Sequence, residues 1–148
     1  MSKRLAILAC VATGLALSQP ALADAISDGI ATLPGSVEDV RIGGTWQKDG
    51  KSGAYRIVIA RTGGDAVTAR LFIQWVAYGE AGETTVENSV EIPELATLGL
   101  DIVDYVSESD AEGLSVYIET IDPQGNADEQ YELHIFAPDD YRFGPATN

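Results

Sequence analysis

The chain is 148 residues long and carries a formal net charge of −14, from 23 Asp and Glu against nine Lys and Arg. That length accommodates one domain, and so acidic a chain without a basic stripe is a poor partner for nucleic acid or an anionic membrane surface. The single cysteine, Cys10, excludes a disulfide framework and a multi-cysteine zinc site.

The chain opens on a secretory leader. Lys3 and Arg4 form a basic start, residues 5–17 are almost wholly apolar, and Ala21-Leu22-Ala23 is a small-x-small cleavage site. A rival reading makes Ile7-Leu8-Ala9-Cys10 a lipoprotein processing site, but it leaves an apolar core of about five residues where export signals have ~7 to 15. Cleavage after Ala23 predicts a mature chain of 125 residues beginning at Asp24, without cysteine and with the periplasm or the cell exterior as its address. No later stretch reaches the ~18 continuous apolar residues of a spanning helix, so no membrane insertion is expected after cleavage.

Loss of Lys3 and Arg4 leaves seven basic residues and a net charge of −16. Residues 24–70 balance six acids with six bases, whereas residues 71–148 hold 17 acids and one base, Arg142. Solubility is the ordinary role of such charge; steering of cationic partners or gathering of divalent cations is the sharper one.

Ile26, Ile30 and Leu33 precede Pro34-Gly35 at helical spacing and predict a short helix or ordered arm. Seven runs rich in β-branched and aromatic residues follow, at 40–47, 54–61, 67–78, 84–92, 100–107, 114–121 and 131–137. Gly-, Asp- and Asn-rich segments at 49–53, 62–65, 79–83, 107–113 and 122–126 separate them as turns. Pro93 to Thr97, closed by Gly99, reads as one helical turn. The expected organisation is a signal peptide over 1–23, an arm or short helix over 24–39 and an antiparallel β-domain over 40–148. The fold class is all-β: one meander of about seven to eight strands, as an up-and-down barrel or a sandwich. The barrel is preferred because closure removes exposed edges.

Burial selects a register for the second hairpin. A two-residue turn at Gly63-Gly64 mixes polar and apolar faces, while a three-residue loop, Gly63-Gly64-Asp65, pairs Tyr55 with Ile73, Ile57 with Leu71 and Ile59 with Ala69. Tyr55, Ile57, Ile59, Leu71, Ile73 and Trp75 are thereby predicted to share one buried face. In the next strand Val86, Asn88 and Val90 alternate with polar residues, so Asn88 either finds partners indoors or marks a bulge.

Nucleophilic catalysis finds little support. There is no mature cysteine and no Gly-x-Ser-x-Gly elbow, and the one histidine, His134, alternates with Leu133 and Ile135 as an exposed strand residue would. Paired carboxylates for a cryptic hydrolase remain open, since so many acids make some pair inevitable. Two acidic hairpin loops place oxygen ligands at every second position, Glu108, Asp110 and Glu112 in one and Asp122, Gln124, Asn126 and Asp128 in the other. Calcium is the one cofactor these patterns suit, although neither follows the Asp-x-Asp-x-Asp-Gly loop. On the third strand Phe72, Val76 and Tyr78 share the face opposite Trp75 and form a candidate aromatic patch for a sugar or a protein.

Ser52-Gly53-Ala54-Tyr55 resembles part of the Ser-Gly-x-x-Tyr-like loop of the periplasmic inhibitors of C-type lysozyme, small exported β-barrels that insert this loop into the lysozyme active site. The resemblance spans four residues and implies a binding role for Ser52 and Tyr55; the chain departs from that family in having no mature disulfide and no Thr-Lys-Gly motif. Together the residues point to an exported, non-enzymatic binding protein, its partner a cationic protein such as a lysozyme-like hydrolase. A small-ligand or carbohydrate binder and a cryptic hydrolase are the alternatives.

Overall fold

A computed structural model describes residues 21–126 and 128–147. The basic and apolar parts of the leader expected from sequence, with Cys10, lie outside the described residues. The helix α1 (Ala21–Ala31) carries Ile26 and Ile30 one turn apart, and the compact β-unit begins at Pro34.

Eight strands follow: β1 (Val37–Lys48), β2 (Lys51–Thr62), β3 (Thr68–Tyr78), β4 (Thr84–Glu91), β5 (Asp101–Ser109), β6 (Leu114–Ile121), β7 (Glu129–Ala137) and β8 (Asp140–Pro145). They form two antiparallel meanders, β1-β2-β3-β4 and β5-β6-β7-β8. Among the described residues no ladder joins these sheets into the closed barrel preferred from sequence. Between β4 and β5 lies the helix α2 (Pro93–Leu98), with Pro at its start and Gly99 in the left-handed conformation at its end. Its Leu95 and the preceding Ile92 are buried and so plug the core where the chain crosses between sheets.

Alternation builds one core from both sheets. Ile57, Leu71 and Ile73 point inward from the first, and Leu114, Val116, Ile118, Leu133 and Ile135 from the second. The predicted face of Tyr55, Ile57, Ile59, Leu71, Ile73 and Trp75 is buried throughout. Its register is not the predicted one: Tyr55 pairs with Trp75, Ile57 with Ile73 and Ile59 with Leu71, a slip of two residues. The turn accordingly spans residues 63–67 and starts from the Thr62–Thr68 pair, whose hydroxyls are 2.7 Å apart. Gly64 has φ +151°, not the left-handed helical value expected for a three-residue loop. A two-residue slip preserves every side chain's face, so alternation selects the face and is silent on the slip.

β4 departs from the half-buried pattern read from its sequence. It is an edge strand, exposed along most of its length, with Val86 47 % accessible and Val90 alone of that face packed on the core. Asn88 is exposed and opposes Trp75 beside a bulge, the second of its two sequence alternatives. Edge polarity, with Glu87 and Glu91 in the strand, disfavours pairing with another chain.

At the end of the β-unit where β2 turns into β3, Arg61 binds the sheets together. Its Nε donates to Asp101 Oδ1 at 2.7 Å, its Nη2 donates to the Ile102 carbonyl at 2.7 Å, and Nη1 reaches Glu38. The backbone repeats the tie through Ala69 N–H donating to the Leu100 carbonyl at 2.8 Å. Nearer the middle, the Arg41 guanidinium lies 4.5 Å over the Tyr105 ring.

Burial pushes the Tyr105 phenol up to about 12, with the Asp39 carboxylate adding to the rise and Arg41 opposing it. Hydrogen bonding to Glu129 holds the Tyr131 phenol at about 12 as well, helped by burial. Both folded values exceed the ordinary 10.0, so the folded state keeps these protons longer than the unfolded chain does. The stability they contribute is complete below the unfolded value and is lost as pH rises toward the folded one. An alkaline titration by ultraviolet phenolate absorbance, paired with denaturant melts, is expected to show late-titrating tyrosines, Tyr105 and Tyr131 among them, and falling stability over that interval. Six tyrosines ionising together at the ordinary value would contradict this.

Candidate functional site

A meander puts alternate hairpins at one end of each sheet, β1–β2 with β3–β4 and β5–β6 with β7–β8, and residues from all four line one space in the β-unit. Between them lies a cavity of about 880 Å³, within the ~300 to 1,000 Å³ usual for ligand sites. Trp46, Tyr55 and Trp75 contribute to its lining while remaining under a tenth exposed, and Tyr78 and Phe136 line it as exposed residues. Tyr55 and Trp75 meet edge to face at 5.7 Å, and Trp46 Nε1 donates to the Ala54 carbonyl at 3.2 Å, so the aromatic floor is held in place. Asp49, Glu87, Asp110 and Glu112 set four carboxylates in the lining against Lys48 and Lys51. Lys51 Nζ donates to Glu87 Oε1 at 2.6 Å, bridging β2 to β4. Burial raises the Tyr55 phenol pKa, the Trp75 contact opposes that, and the Asp110 carboxylate adds to it.

Of the binding residues expected from sequence, Ser52, Tyr55 and Tyr78 come together in this cavity. Phe72 does not: it lies half-buried on the outer face of the first sheet, between Val58 and Glu91, with the Arg70 guanidinium 5.1 Å over its ring. Phe72 and Tyr78 therefore do not make the common patch their spacing suggested. Trp46, Phe136 and the cavity carboxylates were not legible as a group, since they come from four different hairpins. The one local signal was the run of large aromatics, Tyr55 and Trp75, at the hairpin end of an otherwise aliphatic face.

The acidic loops divide. Asp110 and Glu112 face the cavity while Glu108 does not line it. Asp110 Oδ1 accepts the backbone N–H of Glu112 at 2.8 Å and of Gly113 at 3.1 Å. Asp122 Oδ1 likewise accepts Gln124 N–H at 2.7 Å, and its other oxygen accepts from the Asn126 amide. These carboxylates close their own turns. Asp128 is exposed, and among the described residues no three His, Cys, Asp or Glu side chains converge as cation ligands.

His134 lies on the outer face of the second sheet in a polar row that the sequence did not suggest. Its Nδ1 is 2.9 Å from Ser115 Oγ, its Nε2 is 3.8 Å from Glu132, and the Tyr117 ring meets it edge-on. Ser, His and Glu adjoin, but a nucleophile also needs donors for an oxyanion, and here Ser115 and His134 face each other inside a regular ladder whose N–H groups serve the sheet. The row reads as cross-strand polar pairing.

Gly53 has a structural reason within the Ser52-Gly53-Ala54-Tyr55 segment. A Cβ there would fall 1.9 Å from the Val76 carbonyl oxygen on β3, a backbone atom that yields only if the strands part. Gly53→Ala is expected to cost about 1 to 3 kcal/mol and to shift the fluorescence of the cavity tryptophans. Gly63→Ala, with nothing within 4 Å, is the control. Equal melting temperatures for the two variants would refute the close approach.

No family model, no curated protein and no solved structure matches this chain.

Proposed function

We infer that the protein is an exported, non-enzymatic binding protein that holds a cationic protein, such as a basic wall-degrading hydrolase of the lysozyme kind, at its cavity end. The observation that carries this reading is the cavity itself, in which Ser52, Tyr55 and Tyr78 share a lining with Asp110 and Glu112. Aromatic rings supply contact area at low entropic cost, and a carboxylate-rich rim favours a positively charged partner. The acidic second half extends that attraction over longer range. Export rests on the leader of residues 1–23.

A small-ligand or carbohydrate binder is the second reading, supported by the cavity's size and its aromatic floor. The deciding experiment titrates a panel of basic lysozymes and periplasmic hydrolases, and separately neutral oligosaccharides, while following inhibition and tryptophan fluorescence. Inhibition of at least one basic enzyme at micromolar protein, weakened by Tyr78→Ala, is expected. Saturable quenching by a sugar with no member of the panel bound would transfer the assignment to the second reading.

A further inference from the structure

We propose that the cavity end is a socket for an arginine side chain, the guanidinium of a basic partner entering between the aromatic floor and the rim carboxylates. This deepens the reading of a cationic protein partner and rests on it. Guanidinium is planar and weakly hydrated, which suits it to aromatic faces and carboxylates together better than an ammonium.

The molecule already uses that chemistry on itself. Arg41 over Tyr105, Arg70 over Phe72 and Arg142 over Phe136 are guanidinium-to-ring contacts at 4.5, 5.1 and 5.7 Å. Of the two exposed rings in the cavity lining, Phe136 already lies under Arg142, whereas among the described residues no such cation lies over Tyr78 or over the largely buried floor rings Trp46, Tyr55 and Trp75, although four carboxylates and two ammonium groups share that lining. The carboxylates are unequally engaged. Glu87 is held by Lys51, Asp110 has one oxygen spent on its turn and one spare, and neither Glu112 nor Asp49 forms an ion pair among the described residues. Carboxylates without ion pairs beside the exposed Tyr78 ring are complementary to a cation with a flat apolar face.

Lys51 has a defined part in this arrangement. Its side chain is 64 % exposed at the rim, and its ammonium occupies Glu87. It is an internal competitor for the arriving cation, so its removal both frees a carboxylate and eliminates a repulsive charge.

The test uses Nα-acetyl-arginine N-methylamide against its citrulline counterpart, which keeps the shape and loses the charge, read by tryptophan fluorescence. The arginine probe is expected to bind at least about tenfold more tightly than the citrulline probe. Asp110→Asn with Glu112→Gln, which retains an acceptor oxygen for the turn, should weaken it about tenfold, while Lys51→Met should tighten it about threefold. Equal affinity for the two probes, or no saturable change with either, would overturn the socket. The same variants titrated with a basic lysozyme keep the two inferences distinguishable. Undiminished lysozyme binding by the Asp110→Asn, Glu112→Gln variant rejects the socket and leaves the protein-partner reading standing. Arginine-probe binding with no basic protein held keeps the socket and removes that reading.

Discussion

Leu71→Ala and Leu133→Ala are each expected to destabilise the protein by about 2 to 5 kcal/mol, with a fall in melting temperature on the order of 10 °C. Both side chains are essentially inaccessible, one on each sheet, and both belong to a single core cluster. Truncation removes the transfer energy of the lost carbons and leaves a cavity that neighbouring strands cannot close, because their backbones are fixed by ladders on both sides. The loss falls on a chain with a single cysteine, in which no intrachain disulfide limits the entropy of the unfolded state. Thr84→Ala, exposed on the edge strand, is the control and should cost less than about 0.5 kcal/mol. Chemical denaturation of the three variants checks the expectation. A Leu133→Ala variant as stable as the control would mean that the second sheet does not share the core of the first.

Association with a basic protein partner is expected to slow by an order of magnitude or more between low salt and about 0.2 M salt, where the Debye length drops below ~8 Å. Residues 71–148 carry 17 acids and a single base, so their field extends beyond any one contact and acts on approach. Charge reversal separates approach from docking. Glu108→Lys and Glu119→Lys lie outside the cavity lining and outside the hydrogen bonds that close the acidic turns, so they alter the field and spare the site. They should lower the association rate and leave dissociation nearly constant. Ser52 and Tyr78 substitutions should do the reverse and speed dissociation, because these residues touch the bound partner in the proposed site. Stopped-flow kinetics over a salt series measures both. An association rate indifferent to salt would show that the acidic half does not steer.

How much of this was legible in the chain differs between face, register and site. Period-two alternation placed Tyr55, Ile57, Ile59, Leu71, Ile73 and Trp75 on one buried face, and the glycine- and aspartate-rich segments marked the hairpins. Those are local properties, fixed within a few residues by backbone pleat and turn conformation. The strand β8 was not read as one, since Arg142, Gly144 and Pro145 make a poor strand sequence; pairing of Leu133 with Phe143 and of Ile135 with Tyr141 holds it in place instead. The slip of two residues between β2 and β3 lay equally beyond alternation, because both registers bury the same side chains and differ in which partner each meets. Division into two sheets was decided by α2, whose Leu95 enters the core and carries the chain from one sheet to the other. The cavity is the least local feature of all. Trp46 and Tyr55, Tyr78, Asp110 and Phe136 come from four different hairpins, and they share a lining only once both sheets are folded on one core.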